Sequence, residues 1–188
     1  GLLTHRLKNP KGKPPMVAFY SALSGDREGL ERDRPVLHLS DGEVETALAA
    51  QGLARGGYLA FAPGAEFGPS KRWPVEHYAA LAASVRQPVL LLGSGKDHAV
   101  CEPIAAAAPN ARNLAGRTSL MQAFALIAAA RAVVSNDSGL MHVAAAFGVP
   151  QVALFGSSSP LHTPPLNDAA SVVWLKDDPD YQPPLDCA

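Results

Sequence analysis

Cysteine is scarce: Cys101 and Cys187 are the two in the 188-residue chain, and no CxxC or Cys/His spacing suggests a metal site or a disulfide framework. A reducing, cytoplasmic setting is the expectation. Charge is sparse as well. Charged residues make up 18% and the formal net charge is -1, which gives no reason to expect nucleic acid as a partner. No apolar run approaches the ~20 residues that a membrane-spanning helix needs. The N-terminal stretch lacks a signal-peptide pattern, and the start at Gly1 suits a processed product. GxGxxG, Walker GxxxxGK(S/T) and GxSxG motifs are all missing, so a dinucleotide cofactor, P-loop ATP hydrolysis and a hydrolase nucleophile elbow are unsupported. No carboxylate pair stands out as an acid–base couple, and no cofactor or metal is expected.

Apolar residues, at 47%, are plentiful, enough for the core of one α/β domain with additional elements. Short runs at 58–62, 89–92, 112–114, 132–134 and 152–155 read as five core strands, with 172–175 as a sixth. Helical spacing falls between them at 74–86, 97–107 and 120–130, and again where Leu140, Val143, Ala144 and Phe147 share one face ahead of Gly148 and Pro150. Strands alternating with helices, without hairpin signals, predict an α/β fold with a doubly wound, Rossmann-like parallel sheet. The first 41 residues are less legible. Lys8, Lys11 and Lys13 among prolines read as an extended surface segment. Residues 16–23 read as a short helix burying Phe19, Tyr20 and Leu23, and 24–35 as a charged loop. Residues 36–39 read as a strand or extended edge, and Asp41 as the cap of a helix over 42–51.

The most informative stretch is Ser135-Asn136-Asp137-Ser138-Gly139, an elbow between a strand and a helix. Unpaired amides and the positive dipole end of such a helix suit a phosphate, and glycine lets a ligand approach the backbone. Its plainer role is capping by Asp137 or Ser138. His142 stands in the helix's first turn, opposite Leu140 and Phe147.

In a doubly wound sheet, the other loops after the strands converge on the same edge. Residues 64–73 bring Glu66 and the adjacent cations Lys71 and Arg72, candidates to neutralise a diphosphate or else an ordinary exposed pair. Trp73 reads as buried. Residues 93–97 bring Asp97, a candidate for sugar hydroxyls whose plainer role is a helix cap. Residues 116–119 bring Thr118 near a base, with capping by Thr118 or Ser119 as the default.

Longer motifs add a resemblance. PGAEFGPSKRWP at 63–74, NLAG at 113–116, SNDSGLMHVAAA at 135–146 and FGSSSP followed by TPPL at 155–166 resemble the C-terminal half of the ADP-heptose:lipopolysaccharide heptosyltransferases, glycosyltransferase family 9, in particular its heptosyltransferase II branch. The resemblance implies an inverting enzyme of GT-B architecture. Its C-terminal half binds ADP-heptose, while its N-terminal half receives a lipid A-Kdo-heptose type acceptor and carries the general base. It implies that residues 1–52 end the N-terminal half and connect the two, that 53–176 form the donor-binding unit and that 177–188 are a truncated tail. Lys71 would then meet the diphosphate or sugar, Asp137, Ser138 and Gly139 would hold heptose and phosphate near His142, and Thr118 would lie against adenosine. Glu66 and Asp97 would contact hydroxyls, and no catalytic base would lie in this chain. Such a fragment is expected to bind donor weakly and transfer little or nothing. The full-length enzyme would work in the cytoplasm, touching the inner face of the membrane. A non-catalytic nucleotide-sugar binding module and a metal-free nucleotide-sugar hydrolase using Asp137 or His142 are the alternatives.

Overall fold

Strands covered on both faces need apolar residues at successive positions, because neighbouring side chains point to opposite sides. The computed structural model, which describes residues 16–23, 34–66 and 69–177, shows that arrangement in the middle of its sheet, while the edge strand Ala170–Trp174 leaves Val172 and Val173 exposed. Six strands, β1 (Leu59–Ala62), β2 (Val89–Leu91), β3 (Ala111–Asn113), β4 (Ala132–Asn136), β5 (Gln151–Phe155) and β6 (Ala170–Trp174), form one sheet in the order β3-β2-β1-β4-β5-β6. Every pairing is parallel. Phe61, Val89 and Leu91 face α3 (Val75–Ser84) and α4 (His98–Ala107), where Tyr78, Cys101 and Ile104 complete one core. Ala60, Leu90 and Val133 face the other side, against α2 (Asp41–Gln51), α5 (Leu120–Ala128) and α6 (Gly139–Ala146). The doubly wound prediction is therefore correct, sixth strand included.

Boundaries moved for local reasons. Asp41 does not cap α2. Ser40 does, accepting from the Glu43 amide at 3.3 Å while Glu43 Oε2 accepts from the Ser40 amide at 2.8 Å, a reciprocal capping box that satisfies two otherwise orphaned donors. Ser119 and Gln122 form the same box at the start of α5. The predicted stop after α6 holds: Gly148 takes φ 68° and its amide donates to Ala145 O, a left-handed cap that glycine adopts without a Cβ penalty. Residues 36–39 form no strand. The segment is tied to α6 through the Leu37 amide and Ala146 O at 3.0 Å, and leaves Val36 exposed.

The short helix predicted over 16–23 exists as α1 (Met16–Leu23), but Tyr20 and Leu23 are exposed rather than buried. Residues 8–13, most of the charged loop at 24–35 and the tail from 178 lie outside the described residues. α2, assigned from sequence to the connector, buries Val44, Ala47 and Leu48 in the cluster that holds Leu126 and Val133.

Candidate functional site

In the order β3-β2-β1-β4-β5-β6 the chain reverses direction of travel between β1 and β4, and crevices of doubly wound sheets open there, beyond the strands' carboxyl ends. Ala62 pairs with Ser135 at that end, so the loop starting at Pro63 and the elbow at Asp137 leave the sheet side by side. Asn136, fully buried, joins them: its amide nitrogen donates to Pro63 O at 2.8 Å, and its oxygen accepts from the Trp73 amide at 3.0 Å and the Tyr78 hydroxyl at 3.1 Å. Trp73 is half-buried, stacked on His77 and edge-on to Tyr78.

That join brings Lys71, at the end of a 3-10 turn over Pro69–Lys71, onto the elbow. Its ammonium lies 2.6 Å from Asp137 Oδ2. Thr163 Oγ1 donates to the other carboxylate oxygen at 3.3 Å, and the Asp137 amide donates to Leu154 O. Asp137 is buried while the Lys71 side chain is 25% exposed, so the ammonium forms the solvent side of the pair. Gly156 and Ser157, after β5, abut the turn: Ser157 Oγ donates to Ser70 O at 3.1 Å.

The plainer capping role for the elbow is not observed. Ser138 occupies the cap position of α6 without a side-chain cap bond, and Asp137 is turned to Lys71 and Thr163. Of the first amides of α6, that of Met141 donates to Ser138 O at 3.2 Å, and those of Gly139 and Leu140 are left for something else. Ser138 and Gly139 instead border a cleft of about 570 Å³, walled by the loops after β1 and β2, by Thr118, and by the apolar Leu120, Phe124, Leu140 and Val143. Thr118 Oγ1 is buried there without a hydrogen-bond partner among the described residues. Such an orphan is costly unless a ligand or water completes it.

The other predicted residues distribute unevenly. Glu66 is on the cleft rim, exposed and 3.2 Å from Lys96. Asp97 borders the cleft, but Oδ2 accepts from the amide and hydroxyl of Ser94 at 2.9 and 2.8 Å. A Cβ on either Gly64 or Gly93 would collide with its carboxylate. Asp97 therefore packs the two loops together, and it makes no cap bond to α4. His142 points away from the cleft, into a groove shared with Met16, Tyr20 and His162. Partial burial lowers its pKa and Lys71 lowers it further, while Asp137 opposes them. Arg72, by contrast with Lys71, donates to Ala65 O at 3.3 Å and reinforces its own loop. Lys71 and Asp137 stand beside the cleft, at the elbow, rather than within its walls. Among the described residues, no three His, Cys, Asp or Glu side chains cluster as a metal site requires. Asn136, part of the predicted elbow, and Thr163 were given no role of their own from sequence. The usable signals were a polar Asn at a strand's carboxyl end and a hydroxyl within the TPPL motif.

A parallel sheet in this order, with helices on both faces, defines a Rossmann-like fold, here of the kind that forms half of a GT-B glycosyltransferase. The chain belongs to glycosyltransferase family 9 (heptosyltransferase), whose family model matches residues 2–183. Lipopolysaccharide heptosyltransferase 2 of Escherichia coli (strain K12) is 45% identical over 194 residues, covering 93% of this chain and 56% of that protein. Its namesake in Salmonella typhimurium is 44% identical over 193 residues, with the same coverage. The solved structure of E. coli ADP-heptose lps heptosyltransferase II matches with a TM-score of 0.79 at 43% identity, over 89% of this chain and 56% of that one. A family 9 glycosyl transferase from Veillonella parvula shares the fold, with a TM-score of 0.78 at 22% identity over 94% of this chain and 53% of that one. The chain thus spans little more than half the length of these relatives.

Proposed function

We propose that this chain is the donor-binding part of a heptosyltransferase that transfers heptose from an ADP-activated donor, with inversion, to the inner core of lipopolysaccharide. Residues 53–176 are the donor unit, with α2 packed on it. The observation that carries the reading is the Lys71 ammonium held 2.6 Å from Asp137 at the uncapped start of α6. Adenosine fits the cleft beside it, where Thr118 offers an unpartnered hydroxyl. The diphosphate reaches the elbow, where amides of α6 and the ammonium converge on one anion. Heptose hydroxyls then meet Asp137 and the hydroxyl of Thr163.

In the transfer, an acceptor oxygen forms a bond to the anomeric carbon as the bond from that carbon to the β-phosphate oxygen breaks. ADP leaves with the electron pair, and the acceptor proton passes to a general base. Negative charge grows on the β-phosphate, so preorganised donors there stabilise the transition state more than the ground state. No residue of this chain is assigned as the base. The base and the acceptor site belong, on this reading, to the portion of the longer relatives that this chain does not span. A lipid acceptor brings the full-length enzyme to a membrane surface, which on this reading is the inner face of the cytoplasmic membrane. Among the described residues no helix is long and apolar enough to cross one.

Titration calorimetry on this chain tests the donor reading. ADP should bind at least about tenfold more tightly than AMP, the equivalent of ~1.4 kcal/mol for the added phosphate. Equal affinity, or no binding of either by folded protein, would overturn it.

A further inference from the structure

Directly before Asp137, Asn136 is fully buried and uses all four of its hydrogen-bonding positions. The side-chain oxygen accepts from the Trp73 amide at 3.0 Å and the Tyr78 hydroxyl at 3.1 Å, and the nitrogen donates to Pro63 O at 2.8 Å and Gly64 O at 3.4 Å. A primary amide offers two acceptor sites and two donors, so this one is saturated. Asp at the same position would keep the acceptors and lose both donations. A serine hydroxyl can neither reach nor satisfy the set.

The four partners are not a random sample of the core. Pro63 and Gly64 begin the loop after β1, with Gly64 on the cleft wall. Trp73 ends the segment that carries Lys71, and Tyr78 lies in α3, which that segment leads into. Two adjacent ties therefore hold the segment to the end of β4: Trp73 amide to Asn136, and Lys71 ammonium to Asp137. The second is an ion pair that an arriving phosphate can compete for. The first is buried backbone-to-side-chain bonding that a ligand does not reach. With the ammonium drawn from Asp137 toward a phosphate, the Trp73–Asn136 bond still holds the segment to the end of β4, alongside the Ser157–Ser70 contact with the loop after β5.

We propose that Asn136 is a positioning residue for the diphosphate subsite, acting through Lys71 without touching the ligand. This rests on the donor reading above. It goes further by naming the side chain that fixes where the ammonium stands relative to α6, and it separates that task from nucleoside binding in the cleft.

The test uses this chain with ADP and AMP as probes, by titration calorimetry alongside thermal unfolding of each variant. Asn136→Ser should weaken ADP binding about tenfold or more, the scale of one charge-assisted contact, while AMP binding weakens clearly less, because Asn136 holds the cleft wall through Gly64 O alone. Tyr78→Phe removes one of the same four bonds without touching the Lys71 segment, and should keep the ADP preference while lowering the melting temperature. If Asn136→Ser does not fold, Asn136→Thr, whose β-branched side chain suits a strand end, is measured in its place against the same criteria. Equal weakening of ADP and AMP in the folded variant, or an unchanged preference, would overturn the positioning role and leave the donor reading intact. Absence of any ADP preference in the unsubstituted chain would overturn the donor reading, and with it this proposal.

Discussion

Lys71 and Asp137 are 66 residues apart in sequence and 2.6 Å apart in space, with the carboxylate side chain only 6% exposed. Removing the ammonium leaves a buried carboxylate short of its charged partner, a situation that costs more than the intact pair contributes. Lys71→Met should therefore lower stability by roughly 1–3 kcal/mol, and adding Asp137→Asn should restore most of it. A double-mutant cycle in urea measures this, and strictly additive losses would show that the two side chains are not coupled. Cys101 makes the opposite case, a group with nothing to do in the site. Burial first, then Asp97 and Glu102, push its thiol up to about 12, so the thiolate that reacts with alkylating agents is suppressed. At pH 8 the Cys101 peptide should remain unmodified in native protein and be labelled fully in urea, as read by mass spectrometry. Because the folded-state value is raised, the thiol's contribution to stability is complete below its ordinary pKa near 9 and is lost as pH climbs from there toward 12.

Elements carry these residues to the site, and the turns between them are as specific as the strands. Gly116, after β3, has φ 73°, and a Cβ there would come within 2.8 Å of the Gly95 Cα. Gly116→Ala should cost on the order of 1–3 kcal/mol and also weaken AMP binding, since the same turn places Thr118 in the cleft; an unchanged melting temperature would contradict the strain argument. Existence of the elements was legible because each strand is an apolar run with punctuation at its ends, and each core helix keeps one apolar stripe. What misled was choice among neighbouring polar residues. Ser40 caps α2 in place of Asp41 because Glu43 stands three residues on and completes the reciprocal box. Asp97 turns back to Ser94 rather than forward to α4. Tyr20 and Leu23 are exposed because α1 lies against the loop near His162, its first amide bonded to His162 O, and that long-range neighbour leaves no trace in a helical pattern.

For the whole molecule, parallel pairing and the two-sided core followed from alternation of strand and helix, and the order β3-β2-β1-β4-β5-β6 set which loops meet. That order explains why four separated motifs belong to one edge. It also explains what a linear reading left without a role. Asn136 and Thr163 act through partners 63 and 26 residues away, and such distances are decided by the packed sheet. His142 shows the converse: its place in the first turn of α6 was legible, yet its side chain leaves the cleft for the groove beside α1. The most direct measurement is the crystal structure of this chain with ADP. Adenosine is expected in the cleft beside Thr118, with the β-phosphate within about 3 Å of the Lys71 ammonium and of an amide at the start of α6. ADP lying elsewhere, or bound with its diphosphate turned to solvent while Lys71 stays seated on Asp137, would contradict it.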